Sequence, residues 1–293
     1  MKLTTKMVRS VFLFYLLLFI VYPVWSNVLQ NSHTKKKTKV FILAGQSNME
    51  GRADANKLFP QDLERLSKAQ KNVQLAYNNE PLCSLRPVKP SAEIAEIYKR
   101  ELIFGPELFF GITLSEALPD EKILLIKLSE GATSLHGCWH PKWNEKNAAV
   151  MGEEKETKLY RALIDYVDKT LFEYKEDEYE ICAMLWVQGE TDSGNKIAAS
   201  EYGWNLQQFI SHIRQDLKND TLPFLLFQVG HGKVVEGMRK VAQLDPNVAL
   251  ITQSNVASSA NFYQKMENGH YNYEGMKKLG EHFTEVFLNH IRD

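Results

Sequence analysis

Short apolar segments alternate along this chain with longer amphipathic segments, and this alternation constrains the fold more than any other feature of the sequence. Strands that alternate with helices pair into a parallel sheet that helices cover on both faces. The pattern therefore predicts an α/β fold with three layers, in which a flavodoxin-like parallel sheet lies between two layers of helices. The predicted strands are residues 40–44, 73–77, 123–128, 181–187, 224–229 and 248–252.

Helical periodicity is clearest in residues 153–174, where apolar side chains recur at every third or fourth position. Three further helices are predicted. One spans 201–217, one begins at Pro106 because proline suits a first helical turn, and one spans 273–291. Residues 78–102 show neither a helical nor a strand periodicity, so we interpret them as a surface insertion.

The N-terminal residues have the layout of a secretory signal peptide. Basic residues at positions 2, 6 and 9 precede an apolar stretch over 11–22, which is shorter than the ~20 residues that a helix needs to cross a bilayer. We therefore predict a signal peptide over 1–26, a polar linker over 27–38 and one folded domain over 39–293. Cleavage of the signal predicts a secreted or periplasmic protein, whereas an uncleaved signal predicts a membrane-anchored one.

Charge and cysteine content argue against several classes of function. The chain has 35 Lys and Arg residues against 36 Asp and Glu residues, so its net charge is close to zero. Because nucleic acids bind to clustered cationic surfaces, this charge balance argues against a nucleic-acid-binding protein. Three cysteines in 293 residues cannot build a disulfide scaffold, and no Cys-x-x-Cys pair suggests a zinc site. The sequence thus predicts neither a metal nor a cofactor. Pairing of Cys83 with Cys138 stays open, and Cys182 is expected in the core.

Polar segments follow the predicted strands or precede the last helix, which is where ligands bind in open α/β sheets. Ser47 follows the first strand and a glycine, so it is either a nucleophile or the N-cap of a helix. His270 precedes the last helix and is either the base for that serine or a surface histidine in a turn. Glu267 lies three residues earlier, a spacing that allows its carboxylate to fix the imidazole tautomer.

Two other segments carry N–H donors that could stabilise the negatively charged oxygen of a tetrahedral intermediate. Gly131 offers a backbone N–H without a side chain in the way, and Gln188 offers a carboxamide N–H. Both are candidates for an oxyanion hole, and both would also suit a turn at the end of a strand. Glu190 and Asp192 follow directly, and their roles stay open between catalysis, substrate binding and helix capping.

Taken together, these segments resemble the SGNH hydrolase superfamily, and within it the sialate O-acetylesterase-like group that includes the family-six carbohydrate acetylesterases. The matches span residues 45 to 275, nearly the whole predicted domain. They are Gly45-Gln46-Ser47-Asn48-Met49, Gly131-x-Thr133-Ser134-Leu135 with Trp139 beyond it, Trp186-x-Gln188-Gly189-Glu190-x-Asp192, and His270-Tyr271-Asn272-x-x-Gly275.

The resemblance implies Ser47 as the nucleophile and His270 as the general base and then acid. It also implies an oxyanion hole that is formed by the N–H groups of Ser47 and Gly131 and by a third donor. The wider superfamily uses an asparagine as that donor, and the corresponding segment of this chain carries Gln188. No metal or cofactor is implied.

Two positions depart from the superfamily pattern. The residue three before the histidine is Glu267 instead of an aspartate, so the acidic partner of His270 is either Glu267 or Glu190, which matches the acid of some relatives. Ala132 replaces a second glycine, which is tolerable where the backbone angle at that position is ordinary.

The activity that this resemblance implies is the removal of O-acetyl groups from carbohydrates, such as acetylated xylan or O-acetylated sialic acid, through an acetyl-enzyme intermediate. One alternative is a secreted carbohydrate-binding protein with the same fold and no activity. Another is an SGNH lipase or thioesterase, for which nothing in the sequence indicates the deep apolar channel that a long acyl chain needs. Substrate contacts are expected from Gln46, Asn48, Trp139, Asp192 and Tyr271.

Overall fold

The computed structural model describes residues 36–290, which form a mixed α/β domain. Seven of its strands form one sheet, and β2 and β5 pair separately. The strands are β1 Thr38–Gly45, β2 Ala53–Asp54, β3 Val73–Tyr77, β4 Cys83–Ser84, β5 Ile103–Phe104, β6 Ile123–Ser129, β7 Tyr179–Val187, β8 Phe224–Phe227 and β9 Val248–Ile251.

The main sheet has the strand order β4-β3-β6-β1-β7-β8-β9, and every neighbouring pair is parallel except β3 with β4. After β1 the chain fills one side of the sheet with β3 and β6, and after β7 it fills the other side with β8 and β9. The direction of winding therefore reverses beside β1. Such a reversal opens a crevice at the carboxyl ends of the two central strands, β1 and β7.

Helices cover both faces of this sheet. The helices are α1 Ser47–Glu50, α2 Pro60–Ala69, α3 Ala92–Tyr98, α4 Pro106–Ala117, α5 Glu145–Met151, α6 Leu159–Leu171, α7 Glu190–Ser193, α8 Lys196–Asp216, α9 Lys233–Leu244 and α10 Tyr273–His290. On one face α4 packs against α10 and α2, and on the other face α8 packs against α9 while α6 lies on β6.

Aromatic side chains of the central strands show that the two helical layers lie on opposite faces. The ring of Phe41 in β1 packs edge-on against Phe110 of α4, with 5.2 Å between the ring centroids. Trp186 in β7 pairs with Ala44 in β1, and its ring packs on Phe209 of α8 at 4.4 Å. Because Phe41 and Ala44 are three residues apart on one strand, their side chains point to opposite faces. The predicted three-layer fold is confirmed.

The helix predicted over 153–174 begins later than its periodicity suggests. Glu153 is buried, and its carboxylate accepts hydrogen bonds from the backbone N–H groups of Ser134 and Cys138 at 2.8 and 2.9 Å. Those bonds hold Glu153, which lies between α5 and α6, against the loop after β6, and α6 starts only at Leu159.

The segment 78–102, interpreted as an insertion without regular structure, contains a short strand and a helix. β4 adds an antiparallel edge to the sheet. The helix α3 is capped by Ser91, whose side chain accepts the N–H of Ile94 at 3.3 Å, and it ends at Lys99 in a left-handed conformation with a φ of 50°. This helix forms one wall of the cleft described below.

The signal peptide predicted over 1–26 lies outside the described residues, as does most of the linker predicted over 27–38. Within residues 36–290, no helix is long and apolar enough to cross a membrane. The same part of the chain holds no group of His, Cys, Asp and Glu side chains arranged for a metal ion. Cys83, Cys138 and Cys182 are all free thiols, with Cys138 buried.

Candidate active site

The chain turns sharply between β1 and Ser47, and Gly45 allows this turn. Gly45 has a φ of 149°, and a Cβ atom on it would lie only 2.1 Å from the carbonyl oxygen of Val187 in β7. A residue with a side chain does not fit so close an approach. Ser47 therefore begins α1 at the carboxyl edge of the sheet. Among the described residues, neither its hydroxyl nor its backbone N–H has a hydrogen-bond partner.

Ser47 and His270 line the same cleft, which has a volume of about 860 Å³. The walls of this cleft come from the carboxyl ends of β1, β6 and β7, from α3, and from the loop before α10. Gly131 and Glu190 also line it. No hydrogen bond joins Ser47 to His270 in the structure. Bonds between catalytic groups commonly tighten only when substrate binds, so this spacing is compatible with a nucleophile and its base.

A larger cavity, of about 1020 Å³, lies at the amino ends of β1 and β7, where Lys39, Tyr179 and Glu180 line it. None of the residues that the sequence predicted for the site lines this cavity. Since ligands in open α/β sheets bind beyond the carboxyl ends of the strands, we assign the candidate active site to the cleft beside Ser47.

His270 is held in the cleft by two neutral oxygen atoms. Its Nδ1 atom lies 3.0 Å from the phenolic oxygen of Tyr98 in α3 and 3.3 Å from the side-chain oxygen of Asn268. Burial, together with the nearby positive charge of Arg52, lowers the pKa of His270 to about 4. The imidazole is therefore neutral near pH 7, as a general base must be.

Glu267 does not reach His270. A tight turn follows Met266, whose backbone N–H donates to the carbonyl oxygen of His270 at 2.8 Å, and Gly269 completes the turn with a φ of 86°. Glu267 is exposed at this turn, and its side chain forms no hydrogen bond or ion pair with any other described residue. The structure thus separates Glu267, one of the two candidate acids, from the imidazole that it was expected to orient.

Glu190, the other candidate acid, lies in the cleft but not against His270. Its Oε1 atom accepts a hydrogen bond from the carboxamide of Asn48 at 2.7 Å, and its Oε2 atom is buried without a partner. Burial raises the pKa of Glu190 above its ordinary value, although the bond from Asn48 opposes this effect. Asn48 also accepts the backbone N–H of Tyr271 at 3.2 Å. Its role is therefore to tie the loop of His270 to the ends of β1 and β7.

Gln188 is not placed as an oxyanion donor. Its side chain is fully buried below the cleft, and its Nε2 atom donates to the carboxylate of Asp192 at 2.6 Å and to the carbonyl oxygen of Thr133 at 3.0 Å. A buried carboxamide needs partners for both of its N–H groups, and these two acceptors supply them. Gln46 does line the cleft, and its Oε1 atom lies 3.3 Å from the backbone N–H of Thr191.

Three residues expected to contact substrate are fully buried instead. Asp192 accepts the backbone N–H groups of Leu135 and His136 at 2.9 and 3.0 Å, so it holds the loop after β6 against β7. Burial raises the pKa of Asp192 to about 6. Trp139 packs edge-on against the core tryptophan of β7, and the hydroxyl of Tyr271 donates to Gln253 at 2.8 Å. Because all three side chains are fully buried, they do not line the cleft.

Gly131 lies close to the nucleophile candidate. A Cβ atom on Gly131 would be 3.6 Å from the Cβ of Ser47 and 3.1 Å from the guanidinium of Arg52. The backbone N–H of Gly131 forms no hydrogen bond within the described residues. The next residue, Ala132, has a φ of 59°, so the alanine that replaces the expected glycine occupies the left-handed region instead of an ordinary one.

A comparison of the sequence with models of known protein families identifies the family of this chain. A family model described as carbohydrate esterase, sialic acid-specific acetylesterase, matches residues 37–289. The chain belongs to this family. A probable carbohydrate esterase of Arabidopsis thaliana is 23% identical over 267 residues, which are 86% of this chain and 91% of the plant protein.

Three solved structures share the fold of this chain. The crystal structure of the Arabidopsis thaliana protein aligns with a TM-score of 0.62 and 20% identity, over 86% of this chain and 98% of that chain. NanS aligns with a TM-score of 0.60 and 14% identity, over 88% and 98% of the two chains. A carbohydrate acetylesterase from Xanthomonas citri aligns with a TM-score of 0.56 and 17% identity, over 86% of this chain and 56% of that chain.

For this carbohydrate esterase, the sequence alone did not indicate three residues of the cleft that act on His270, which are Tyr98, Asn268 and Arg52. Tyr98 lies in the segment 78–102, which was interpreted as an insertion, and its only signal was the helical spacing of Ile94 and Ile97 before it. Arg52 lies five residues after Ser47 and is buried, and its guanidinium pairs with Glu50 at 2.8 Å. A charged residue so close to Ser47 was the signal that could have identified it.

Proposed function

We propose that this protein is a serine esterase that removes O-acetyl groups from carbohydrates through an acetyl-enzyme intermediate. His270 takes the proton of the Ser47 hydroxyl as the serine oxygen attacks the acetyl carbonyl carbon. As the tetrahedral intermediate collapses, His270 gives this proton to the sugar oxygen, the sugar alcohol leaves, and the acetyl group stays on Ser47. Water, deprotonated by His270, then attacks the acetyl-enzyme and releases acetate.

The observation that carries this proposal is that one cleft combines a serine with an unpartnered hydroxyl, a neutral imidazole and two unused backbone N–H groups. The N–H groups belong to Ser47 and Gly131, and they suit the oxygen that becomes negative in the tetrahedral intermediate. Removal of one such donor typically costs about 3–4 kcal/mol of transition-state stabilisation. Gln188 is not needed for this step.

The charges around the cleft favour a substrate without an anionic group near the ester. Arg52 is the one Lys or Arg side chain of the described residues that lines the cleft, and Glu50 already pairs with it. Glu93, Glu130 and Glu190 also line the cleft. A substrate carboxylate would meet these acids and no free cation, and repulsion between like charges opposes binding. We infer that neutral acetylated sugars, such as acetylated xylan, are better substrates than O-acetylated sialic acid.

Acetate release from acetylated xylan and from an O-acetylated sialoglycan, measured side by side at equal ester concentration, tests this proposal. We expect faster release from the neutral polymer, and faster release from the sialoglycan would contradict the assignment of substrate class. If 4-nitrophenyl acetate is hydrolysed but neither carbohydrate releases acetate, the protein is an esterase that does not act on these carbohydrates, and the proposed substrate class is wrong. Release from none of the three would favour the carbohydrate-binding protein without activity.

An SGNH lipase or thioesterase is the second alternative, and a series of acyl lengths distinguishes it. Ile94 and Ile97 contribute apolar surface to the cleft, while most of the other side chains that line it are polar or charged. We therefore expect 4-nitrophenyl acetate to be hydrolysed with a higher kcat/KM than 4-nitrophenyl octanoate. A preference for the octanoate would support a lipase.

We also propose that residues 1–26 are a cleaved signal and that the mature protein is secreted or periplasmic. The basic residues and the apolar stretch that precede Ser26 support this. The intact mass of protein recovered from the medium or the periplasm should match a chain that begins at Asn27. A mass that includes Met1 in a membrane fraction would indicate an anchor instead.

A further inference from the structure

We propose that Tyr98 is a positioning residue for His270: its phenolic oxygen, together with the side-chain oxygen of Asn268, accepts the Nδ1 proton of the imidazole in the place where a carboxylate was expected. This inference rests on the proposed function, since it concerns the base of that reaction. It assigns to α3, which lies in the segment 78–102, a part in orienting the imidazole.

The contacts of Asn268 decide which imidazole nitrogen carries the proton. The Oδ1 atom of Asn268 lies 3.3 Å from the backbone nitrogen of His270 and 3.3 Å from its Nδ1 atom. A backbone N–H can only donate, so the atom of the Asn268 amide that faces it is the oxygen. An oxygen without a proton cannot donate to Nδ1, so Nδ1 is protonated and donates. The lone pair of the neutral imidazole is then on Nε2.

The same proton is within reach of Tyr98. The Nδ1 to phenolic oxygen distance of 3.0 Å is shorter than the 3.3 Å to Asn268, so Tyr98 is the nearer acceptor. The two rings meet edge-on, with 5.8 Å between centroids and 89° between planes. This geometry leaves Nε2 free to take the proton of Ser47. In a Ser-His-acid triad the carboxylate fixes the imidazole in this tautomer, and here the two neutral oxygens do so.

The two candidate acids do not accept a hydrogen bond from the imidazole. Glu267 is exposed and contacts no imidazole atom, and Glu190 directs Oε1 to Asn48. The charged groups close to the Tyr98 ring are instead the guanidinium groups of Arg52 and Arg100, each with its central carbon 5.7 Å from the ring centroid. Burial and the positive charge of Arg52 lower the pKa of His270, so the imidazole that these two neutral oxygens hold is itself neutral.

Tyr98 is itself held by its surroundings. It ends α3, whose first turn is capped by Ser91, and its ring contacts the two guanidinium groups. Ile94 and Ile97 of the same helix line the cleft. One short helix therefore supplies both the acceptor that orients the base and an apolar wall beside the nucleophile.

Tyr98→Phe tests the inference because it removes only the phenolic oxygen and keeps the ring. The matched control is Tyr179→Phe, which removes the hydroxyl of a tyrosine at the amino end of β7 that has no hydrogen-bond partner among the described residues. With 4-nitrophenyl acetate, we expect kcat to fall about tenfold in Tyr98→Phe, the equivalent of one hydrogen bond, and KM to change less than about twofold. The control should keep the wild-type kcat.

Nitrogen NMR of histidine-labelled protein provides the readout that a purely structural role would not change. In the wild type, we expect His270 to be the Nδ1-protonated tautomer, and in Tyr98→Phe we expect the Nε2-protonated fraction to rise. His270→Gln identifies the signals. Asn268→Ala removes the other acceptor, and the double variant should lose about tenfold more in kcat than Tyr98→Phe alone. If Tyr98→Phe does not fold, the kcat and the His270 tautomer of Asn268→Ala still test whether neutral acceptors at Nδ1 orient the imidazole.

The outcomes separate this inference from the proposed function. If Tyr98→Phe keeps the wild-type kcat and the wild-type tautomer while Ser47→Ala is inactive, Tyr98 has no positioning role. The proposed esterase function would still hold in that case. A larger loss in Glu267→Gln than in Tyr98→Phe would return the acidic role to Glu267. Full activity in Ser47→Ala would overturn the proposed function itself. A tenfold fall in kcat with a shifted tautomer in Tyr98→Phe supports the inference.

Discussion

The carboxamide of Asn48 donates to the carboxylate of Glu190 at 2.7 Å, so the segment after β1 is tied to the segment after β7. The same side chain accepts the backbone N–H of the residue that follows His270, at 3.2 Å. The positions of Ser47, Glu190 and His270 thus depend on one polar side chain at the crevice between the two central strands.

The thermal unfolding midpoint of the wild type should rise relative to that of Glu190→Gln as the pH falls from 7 toward about 4.3. Burial raises the pKa of Glu190, so the protonated form stabilises the fold, and this contribution is lost as the pH rises from the unfolded value through the raised folded value. Glutamine still accepts from Asn48, and the cost of burying its N–H groups does not depend on pH. Thermal unfolding of both proteins at several pH values measures the difference. A difference in midpoint that stays constant from pH 7 to about 4.3 would contradict this.

The acid limb of kcat/KM should lie near pH 4. His270 acts as a base only when it is neutral, and burial with the charge of Arg52 lowers the pKa of His270 to about 4. Activity should therefore persist as the pH falls until it passes through about 4. Arg52→Met removes the charge and should move this limb to higher pH, whereas Arg52→Lys keeps the charge and should move it less. Identical limbs in wild type and Arg52→Met would show that Arg52 does not act on the imidazole.

Asp192→Ala should destabilise the fold and leave substrate binding in the folded fraction unchanged. Asp192 is fully buried and accepts two backbone N–H groups of the loop after β6. Loss of hydrogen bonds to a charged acceptor predicts a decrease of roughly 3 kcal/mol in the free energy of unfolding. Denaturant unfolding and KM measure the two effects, with the exposed Asp177→Ala as control. A raised KM with unchanged stability would restore Asp192 as a substrate contact.

Lys127→Met should destabilise the protein more than the double replacement Lys127→Met with Glu107→Leu. Lys127 and Glu107 form an ion pair with no exposed side-chain surface, and the lysine also donates to the carbonyl oxygen of Glu50 at the end of α1. The single change leaves a buried carboxylate unpaired, which costs roughly 3–5 kcal/mol, whereas the double change removes both charges. Denaturant unfolding of the two variants measures the difference. Equal losses would show that the lone carboxylate finds another partner.

Much of the fold could be predicted because strand periodicity and burial coincide in this chain. Residues 73–77 form β3 with the predicted bounds, and the other five predicted strands are present with ends that differ by one or two residues. Periodicity failed where a buried polar contact competed with it, as at Glu153, whose carboxylate binds a distant loop. Short elements such as β4 and α3 have too few residues for a period to show.

The site was predictable only in part, for reasons of packing. Ser47, Gly131, Glu190 and His270 meet in one cleft because each follows a central strand or precedes α10. The sequence shows that a residue lies at a strand end but not which way its side chain turns. Gln188 turns inward and its carboxamide binds Asp192, while Glu267 turns outward on a tight turn. Tyr98 was missed because its contact with His270 joins residues 172 positions apart.

The decisive experiment for the proposed esterase compares 4-nitrophenyl acetate hydrolysis by Ser47→Ala with that by the wild type. In the proposed mechanism the acetyl group bonds to the hydroxyl oxygen of Ser47, and alanine removes this oxygen without crowding the turn after Gly45. We expect kcat to fall at least about a thousandfold, with an unchanged thermal unfolding midpoint. Equal rates in the two proteins would show that the acetyl ester is cleaved without this serine and would overturn the proposal.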